Sequence, residues 1–400
     1  MEQKNTLSKS AMVRMVKDRV MAVRNASAAP VKDLYTYPAN KLAQQMHPHV
    51  QCLKIKEIIT HSDDFKSFIF APDTAKGTAR IAWFSAGQYL VIAVTIDGKT
   101  YNRPYSIASA PRATLRGEIE IAVKRVDGGI VSAYVLDNWK VGDSVPASGP
   151  LGDFTYEPLR DAKHIIGIAG GSGITPFRSL AKAICDGDED CSLTLLYGSR
   201  TLADAVFNDE FKQMAKENEK IKLVNVLSDE KKRGCESGFI DAKLITKYAP
   251  KDEAYSIFLC GPQAMYDFAD KEIAKLNIKR KYVRHELFGE YFHPEKNADY
   301  SGDIKATYKL TVRIAGKERT IDCAADTSLL RAMEAAGINA PSDCRSGRCG
   351  WCHSQLISGE VYIPESVDGR RAADKEFGYI HPCCSFPLSD IVLDVPPLPY

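Results

Sequence analysis

The 400-residue sequence lacks a strong excess of either charge, since 53 Lys and Arg residues are balanced by 51 Asp and Glu residues. That balance does not favour nucleic acid as a partner. No apolar run reaches the ~18 residues of a membrane-spanning helix. The N-terminus lacks the apolar core of a secretory signal. Eleven cysteines, an odd number clustered late in the chain, are too few for a disulfide scaffold and favour a metal site in the cytoplasm.

The first segment, residues 1–46, is a polar and basic leader. Within it Met12, Val16 and Val20 recur at helical spacing, with basic residues between them. This pattern favours a helix that packs on the rest of the chain. A docking helix for a partner or a membrane surface, or a mobile tail, remains the alternative.

Residues 47–156 have the short β-branched and aromatic runs of an antiparallel sheet, with turn residues such as Asp97-Gly98 between them. Several short strands at this spacing predict a β-barrel. The clearest runs are residues 67–70, 89–94 and 118–123.

Residues 157–289 alternate apolar strands with helical stretches, an order typical of a parallel sheet in an α/β domain. Residues 290–304 read as a polar linker. Residues 305–400 mix strands with one short helix near residues 329–336. The chain is therefore predicted to be a multidomain protein that combines α+β and α/β architecture.

The end of a predicted barrel strand carries Arg103, Pro104, Tyr105 and Ser106. An arginine can bind a phosphate through two N–H groups. A tyrosine can lie flat on the ring system of a flavin, and a serine hydroxyl can bond a ring nitrogen. Four residues alone could equally be an ordinary strand end, so the motif needs support from elsewhere in the chain.

That support comes from Gly128 and Gly129, which precede a predicted helix start, and from Ser132 in its first turn. Free backbone N–H groups and the helix dipole at such a position favour a phosphate. The two motifs together predict a flavin site.

A glycine-rich turn follows the first strand of the predicted parallel sheet and contains Gly171, Gly173, Thr175 and Pro176. Glycines allow a pyrophosphate to approach the backbone at a helix N-terminus. We expect Thr175 to cap the helix and Pro176 to occupy its first turn. In this strand–turn–helix context the pattern indicates a dinucleotide, although such turns also occur without a ligand.

A second strand of the same sheet ends in Cys260, Gly261 and Pro262. Ligands of open α/β sheets gather at the carboxyl ends of strands. The Cys260 thiol is therefore either a contact for a nicotinamide or a buried cysteine that simply ends its strand.

Cys344, Cys349 and Cys352 have the Cys-x4-Cys-x2-Cys spacing of plant-type [2Fe-2S] ferredoxins, and the adjacent Cys383 and Cys384 follow. A zinc site would pair two Cys-x2-Cys doublets, and a Rieske centre needs two suitably spaced histidines. Neither pattern is present, so the iron–sulfur interpretation is preferred.

With these motifs, residues 50–290 resemble the ferredoxin–NADP reductase family. The resemblance implies a flavin-binding barrel followed by a nicotinamide-nucleotide domain. It implies that Ser106, Cys260 and Glu286 surround the site of hydride transfer. Glu286 matches the acidic residue near the end of many family members, although here the chain continues beyond it.

Residues 306–400 resemble a plant-type ferredoxin, which implies a β-grasp domain. In that family one cysteine follows a Gly-Tyr-Ile stretch closely. The resemblance therefore implies Cys344, Cys349, Cys352 and Cys383 as metal ligands, with Cys384 as the alternative to Cys383. The order of domains is similar to that of the reductase components of multicomponent oxygenases.

The nucleotide preference depends on the residues after the third strand of the parallel sheet. Asp229 lies there and would repel a 2′-phosphate, which favours NADH. Arg200, after the preceding strand, argues for NADPH instead. The flavin is predicted to be FAD, with FMN as the alternative.

We therefore expect an NAD(P)H-dependent oxidoreductase that passes electrons from NADH through FAD and a [2Fe-2S] cluster to a partner redox protein. An oxygenase-like system is the first hypothesis for that partner. A reductase for another, anaerobic acceptor is the second, and a non-catalytic electron-transfer or redox-sensing subunit is the third. We expect neither a nucleic-acid partner nor a membrane span.

Overall fold

Residues 9–28, 37–286 and 289–397 are described by a computed structural model of the chain. The leader unit, Met1–Met46, contains two described helices, α1 (Lys9–Ala28) and α2 (Pro38–Met46). The helix predicted around Met12 and Val20 is thus confirmed, whereas its role stays a prediction. None of the described helices is both long and apolar enough to cross a membrane.

The first part of the main unit is the predicted antiparallel barrel. Its sheet has the strand order β4-β3-β6-β1-β2-β5. A bridge between Ile107 and Ile121 joins the end of β4 to β5 and closes the barrel on one side. Residues of α3 such as Val131 and Val135 pack on the barrel core. The elements are β1 (Val50–Ser62), β2 (Phe65–Pro72), β3 (Tyr89–Ile96), β4 (Lys99–Ser106), β5 (Ile119–Lys124), α3 (Ile130–Asn138) and β6 (Ser144–Ser148).

The second part is the predicted parallel sheet, with the strand order β10-β9-β8-β7-β11-β12. Apolar side chains cover both faces, since Ile165 packs into one core and the next residue, Ile166, into the other. The strands are β7 (His164–Gly170), β8 (Ser192–Ser199), β9 (Ile221–Leu227), β10 (Glu236–Ser237), β11 (Tyr255–Cys260) and β12 (Val283–Glu286). The helices are α4 (Thr175–Asp186), α5 (Asn208–Glu217), α6 (Ala242–Tyr248) and α7 (Gln263–Ile273).

The strand order of this sheet reverses at its centre. The chain moves from β7 outward to β8 and β9, and later returns to the other side of β7 with β11. The carboxyl ends of β7 and β11 therefore form a switch point, where open α/β sheets bind their ligands. The glycine-rich turn and Cys260 lie at these two strand ends.

The C-terminal part is a mixed five-stranded sheet with the order β14-β13-β19-β15-β17, in which β13 and β19 run parallel. Apolar residues of α8 pack into the core on this sheet, which is the expected β-grasp arrangement. The elements are β13 (Thr307–Ile314), β14 (Lys317–Ala324), α8 (Leu329–Ala335), β15 (Ser354–Ser358), β16 (Val361–Tyr362), α9 (Ala372–Glu376), β17 (Tyr379–Ile380), β18 (Phe386–Pro387) and β19 (Ile391–Val395).

Candidate active site and cluster loop

The predicted flavin motif lies on β4, next to β3 of the barrel. Ser106 ends β4, is buried, and is the register partner of Tyr89. Burial raises the pKa of Tyr105 to about 12, and its ring packs against the barrel core. Arg103 donates from its NH1 group to both carboxylate oxygens of Glu334, each at 3.2 Å. The motif residues thus lie together at one strand end, and Arg103 reaches the C-terminal domain.

The predicted phosphate turn precedes α3. Gly129 is the N-cap residue of that helix. The Ser132 hydroxyl accepts a hydrogen bond from the backbone N–H of Val126 at 3.0 Å and donates to the carbonyl of Gly129 at 3.3 Å. These bonds give Ser132 a role in fixing the turn, and its contact with a phosphate stays a prediction.

The glycine-rich turn after β7 comes very close to the end of β11. A Cβ atom on Gly173 would lie 2.1 Å from the carbonyl oxygen of Cys260, so only glycine fits. A 3-10 turn, Gly171–Ile174, leads directly into α4. The expectation that Thr175 caps α4 is wrong, because Ile174 is the N-cap residue and the Thr175 hydroxyl donates to the Ser172 carbonyl at 2.6 Å.

The two strand ends at the other side of the crevice carry Cys260 and Glu286, which are register partners on β11 and β12. Burial raises the pKa of the Cys260 thiol well above its ordinary value. Burial also raises the pKa of Glu286, with smaller contributions from the charges of Asp153 and Cys344. Burial therefore disfavours the charged form of both groups. The next residues, Leu287 and Phe288, lie outside the described part of the chain.

Tyr89 was not predicted as a site residue, yet it lies beside the flavin motif. It is buried beside Ser106 on the neighbouring strand. Burial makes the largest contribution to the raised pKa of the Tyr89 phenol. The charges of Cys344, Cys349, Asp343 and Glu286 raise it further. Tyr89 is therefore near both the predicted hydride-transfer residues and the predicted cluster ligands. The sequence contained no motif that could have marked it.

Asp229 and Arg200 lie on neighbouring loops at the carboxyl edge of the parallel sheet. The backbone N–H of Asp229 donates to the carbonyl of Arg200 at 2.9 Å. The side chain of Asp229 is exposed and accepts a hydrogen bond from the Ser228 hydroxyl at 2.7 Å. The two opposing signals for nucleotide preference therefore lie on adjacent loops, and their contact with the ribose stays a prediction.

The cluster loop, residues 344–352, directs backbone N–H groups at cysteine sulfurs. Cys349 N–H points at the sulfur of Cys344 at 3.3 Å, and Gly347 N–H points at the sulfur of Cys383 at 3.3 Å. The sulfurs of Cys352 and Cys383 are 3.4 Å apart. N–H groups aimed at sulfur stabilise thiolate ligands and bridging sulfide.

Gly347 explains the tight shape of this loop. Its φ angle is +77°, and an added Cβ would lie 2.1 Å from the Val367 carbonyl oxygen. A side chain at this position would displace the N–H that faces Cys383. Four cysteines in two close pairs, Cys344 with Cys349 and Cys352 with Cys383, fit the four thiolates that two irons need.

Cys384 has a different environment from Cys383. Its thiol lies against the carbonyl oxygens of His381 and Val367, at 3.5 and 3.7 Å. These carbonyl oxygens are hydrogen-bond acceptors, to which the Cys384 thiol donates. The geometry supports Cys383 as the fourth ligand and gives Cys384 a place in the core.

Arg345 is the most buried charged side chain of the loop, with 1% exposure and a φ angle of +60°. Its guanidinium donates to both oxygens of Glu334, at 2.6 and 2.8 Å. Its Nε also donates to Glu290 at 2.8 Å. Glu290 and Glu334 come from segments that are distant in sequence, which is why no local pattern predicted this network.

Barrel, parallel sheet and cysteine loop define a class of protein: oxidoreductases that combine flavin, pyridine-nucleotide and [2Fe-2S] domains. Family comparisons agree with this assignment. Residues 52–156 match the oxidoreductase FAD-binding domain, residues 168–271 the oxidoreductase NAD-binding domain, and residues 312–388 the 2Fe-2S iron-sulfur cluster binding domain.

Similar proteins have the same organisation. The chain is 30% identical over 324 residues to one component of the 1,2-phenylacetyl-CoA epoxidase of Escherichia coli (strain K12), covering 78% of this chain and 88% of that protein. It is 30% identical over 355 residues to the ferredoxin reductase component of 3-ketosteroid-9-alpha-monooxygenase of Mycobacterium tuberculosis, covering 86% and 95%. The structure of phthalate dioxygenase reductase matches with a TM-score of 0.62 and 27% identity, covering 86% and 98%.

The chain therefore belongs to the ferredoxin–NADP reductase family, in the group whose flavin and nucleotide domains are followed by a [2Fe-2S] domain. FAD, an iron–sulfur cluster and a nicotinamide nucleotide are its cofactors, as predicted. The roles of individual site residues remain predictions.

Proposed function

We propose that this protein is the reductase component of an oxygenase-type system, which takes electrons from NADH and delivers them to a partner redox protein. When bound, the flavin would supply hydride acceptance and the [2Fe-2S] cluster would supply single-electron transfer. The similarity to epoxidase and monooxygenase components supports an oxygenase as the acceptor.

One observation carries this proposal: ion pairs through Glu334 connect the cluster loop to β4, the strand that contains the flavin motif. Glu334 binds Arg103 of β4 on one side and Arg345 of the cluster loop on the other. Tyr89 is buried next to Ser106 and near the cluster cysteines. Electron transfer between two centres in one chain requires such proximity.

On the flavin side, Arg103 and the amides around Gly128 and Gly129 are proposed to hold phosphate groups. Tyr105 with Pro104 provides the surface against which the flavin ring rests, and the Ser106 hydroxyl hydrogen-bonds it. Ser132 stabilises the turn before α3 through its two hydrogen bonds.

On the nucleotide side, Gly171, Gly173 and Thr175 form the pyrophosphate turn. Cys260, with Gly261 and Pro262, positions the nicotinamide. Asp229 contacts the adenosine ribose of NADH. Glu286, whose pKa is raised by burial, is proposed to hold a proton at its carboxyl group close to the Cys260 end of the crevice.

On the cluster side, Cys344 and Cys349 are proposed to bind one iron, and Cys352 and Cys383 the other.

The proposed domain boundaries remain 1–46, 47–156, 157–289 with a linker at 290–304, and 305–400. A cytoplasmic location is also proposed, because cluster cysteines must stay reduced until they bind iron.

The test is anaerobic purification followed by three measurements on the full chain. We expect bound iron and labile sulfide, FAD in the released chromophore, and faster ferricyanide reduction with NADH than with NADPH. Released FMN would correct the flavin assignment, and a chromophore-free protein would refute the proposed function.

The acceptor is identified in a separate experiment, in which the full chain is used as the bait for affinity capture. We expect reduced protein to transfer electrons to a co-purifying oxygenase component. Transfer to a non-oxygenase acceptor instead would favour the anaerobic alternative. Failure to reduce any soluble acceptor, including ferricyanide, would favour the sensor hypothesis.

A further inference from the structure

Five charged side chains form a continuous network between the flavin barrel and the cluster loop. The network runs from Arg103 to Glu334, then to Arg345, Glu290 and Arg331. Glu334, Arg345 and Glu290 are almost fully buried, with side-chain exposures of 7%, 1% and 10%. Three arginines and two glutamates give the network a net charge of +1, and the arginines at its two ends, Arg103 and Arg331, are partly exposed to solvent.

Arg103 is the member of the network whose guanidinium has an edge left open for an anion. Its NH1 group makes all three of its hydrogen bonds, to both Glu334 oxygens and to the Asn102 carbonyl at 2.8 Å. Within the described residues no hydrogen bond involves its Nε or NH2 groups. Its side chain is 24% exposed. The Nε–NH2 edge of a guanidinium can bind a phosphate through two parallel bonds.

We propose that Arg103 binds the flavin phosphate and Glu334 at the same time, so that flavin binding and the seating of the cluster domain strengthen each other. The inference rests on the proposed function, since it requires a flavin nucleotide in the barrel. The recognised chemistry is the phosphate or pyrophosphate group that FAD and FMN share.

The direction of the linkage follows from the geometry. Glu334 already holds Arg103 in one orientation, so less conformational entropy is lost when the phosphate binds. In return, a phosphate on the free edge fixes Arg103 and with it Glu334. Glu334 also binds Arg345, and that side chain cannot shift without moving the loop that contains Cys344. Thermodynamic linkage requires the two effects to be equal.

The experiment uses the full chain with its cluster loaded and its flavin reversibly removed. Amide hydrogen exchange is measured in α8 and in residues 344–352, with and without added FAD, and FAD affinity is measured by fluorescence. In the native protein FAD should slow exchange in both segments. Flavin binding without any change in α8 would overturn the proposal, whereas no flavin binding at all would instead refute the proposed function.

Two variants test the bridge, one at Arg103 and one at Glu334. Arg103→Lys keeps the charge, but an ammonium cannot span two anions in this geometry, and Glu334→Gln keeps Arg103 available for the phosphate. In both we expect FAD to bind roughly 5-fold or more weakly, a typical size for coupling between sites, and α8 exchange no longer to respond to FAD. Native affinity together with a native exchange response in Glu334→Gln would overturn the proposal.

The matched control is Arg313→Lys, because Arg313 forms an exposed ion pair with Glu318 on the β13–β14 hairpin of the same domain. It should keep the native FAD affinity and exchange response. Cluster absorbance and the melting temperature verify that each variant is folded and loaded. A control that loses the response as fully as Arg103→Lys would also overturn the assignment to Arg103.

Discussion

Cys260 and Glu286 face each other as register partners on β11 and β12, at the carboxyl edge of the parallel sheet. Tyr266 ties the two strand ends together, because its hydroxyl donates to the Glu286 carbonyl and accepts from the Gly261 N–H. Burial raises the pKa of both Cys260 and Glu286. Burial thus disfavours charge at the strand ends where the nicotinamide ring is proposed to bind.

Glu286→Gln should change how stability depends on pH. A raised pKa in the folded state means that folded protein holds a proton that unfolded chain has released. The stabilisation is fully present below the unfolded value of about 4.3 and is lost as pH rises toward the folded pKa. Glutamine does not titrate, so the variant should gain melting temperature relative to the native protein between pH 5 and pH 8. Identical melting-temperature profiles would contradict a buried, protonated Glu286.

The same variant also tests the proposed proton-holding role. If the Glu286 carboxyl group supplies a proton during turnover, Glu286→Gln should lower the rate of flavin reduction by roughly 100-fold, a typical effect of general acid–base catalysis. Glu318→Gln, on an exposed strand of the C-terminal domain, is the control and should be unaffected. An unchanged rate would assign Glu286 a structural role only.

Asp229→Arg should shift the nucleotide preference toward NADPH. A guanidinium at this edge can bind a 2′-phosphate that the native carboxylate repels, and Arg200 on the adjacent loop would reinforce it. The ratio of kcat/KM for NADPH to that for NADH should rise by about 10-fold or more, an effect of ~1.4 kcal/mol. Asp209→Arg is the control, because Asp209 is an exposed acid on α5 of the same domain. An unchanged ratio in Asp229→Arg would place the ribose elsewhere.

Cys383→Ser and Cys384→Ser should have opposite outcomes. The Cys383 sulfur faces Cys352 and the Gly347 N–H, whereas the Cys384 thiol lies against two carbonyl oxygens. We expect Cys383→Ser to lose the iron–sulfur absorbance and the EPR signal of the reduced cluster, and Cys384→Ser to keep both. A native spectrum in Cys383→Ser with loss in Cys384→Ser would reverse the ligand assignment.

Arg178→Leu should destabilise the contact between the barrel and the parallel sheet. Arg178 donates to Glu120 at 2.7 Å and to Glu210 at 2.6 Å, and also to the Ala108 carbonyl at 3.0 Å. Its removal leaves the buried Glu120 without its cation, which typically costs about 3–5 kcal/mol. Chemical denaturation would detect this loss. The triple change of Arg178, Glu120 and Glu210 to apolar residues should recover most of it, and equal destabilisation in both proteins would contradict the charge argument.

Features encoded locally were predictable from the sequence. The strands of the barrel and the parallel sheet carry continuous or alternating apolar runs. The turn after β7 requires glycine, because a Cβ atom on Gly173 would lie 2.1 Å from the Cys260 carbonyl oxygen. The cysteine spacing marked the cluster loop in the same way. The prediction that Thr175 caps α4 was wrong, because the preceding 3-10 turn already has helical backbone geometry.

Features that join distant segments were not predictable. Arg345 is separated from Glu290 by 55 positions and from Arg103 by far more, and only the folded chain brings them into one network. Tyr89 stands in an ordinary strand sequence and becomes significant only because β3 lies next to β4. Cys383 and Cys384 are adjacent in sequence, so the direction of each thiol depends on the backbone alone.

Cys349→Ser tests whether the flavin and nucleotide parts work without the cluster. None of the predicted flavin or nucleotide residues lies in the cluster loop, so a cluster-free protein should still oxidise NADH once flavin is bound. With FAD in excess, ferricyanide reduction should stay within roughly twofold of the native rate, while transfer to the protein acceptor is lost. Cys185→Ser is the control, because Cys185 is an exposed cysteine at the end of α4. If ferricyanide activity disappears in Cys349→Ser despite bound flavin and a native melting temperature, the cluster is required for hydride transfer itself and the modular interpretation is wrong.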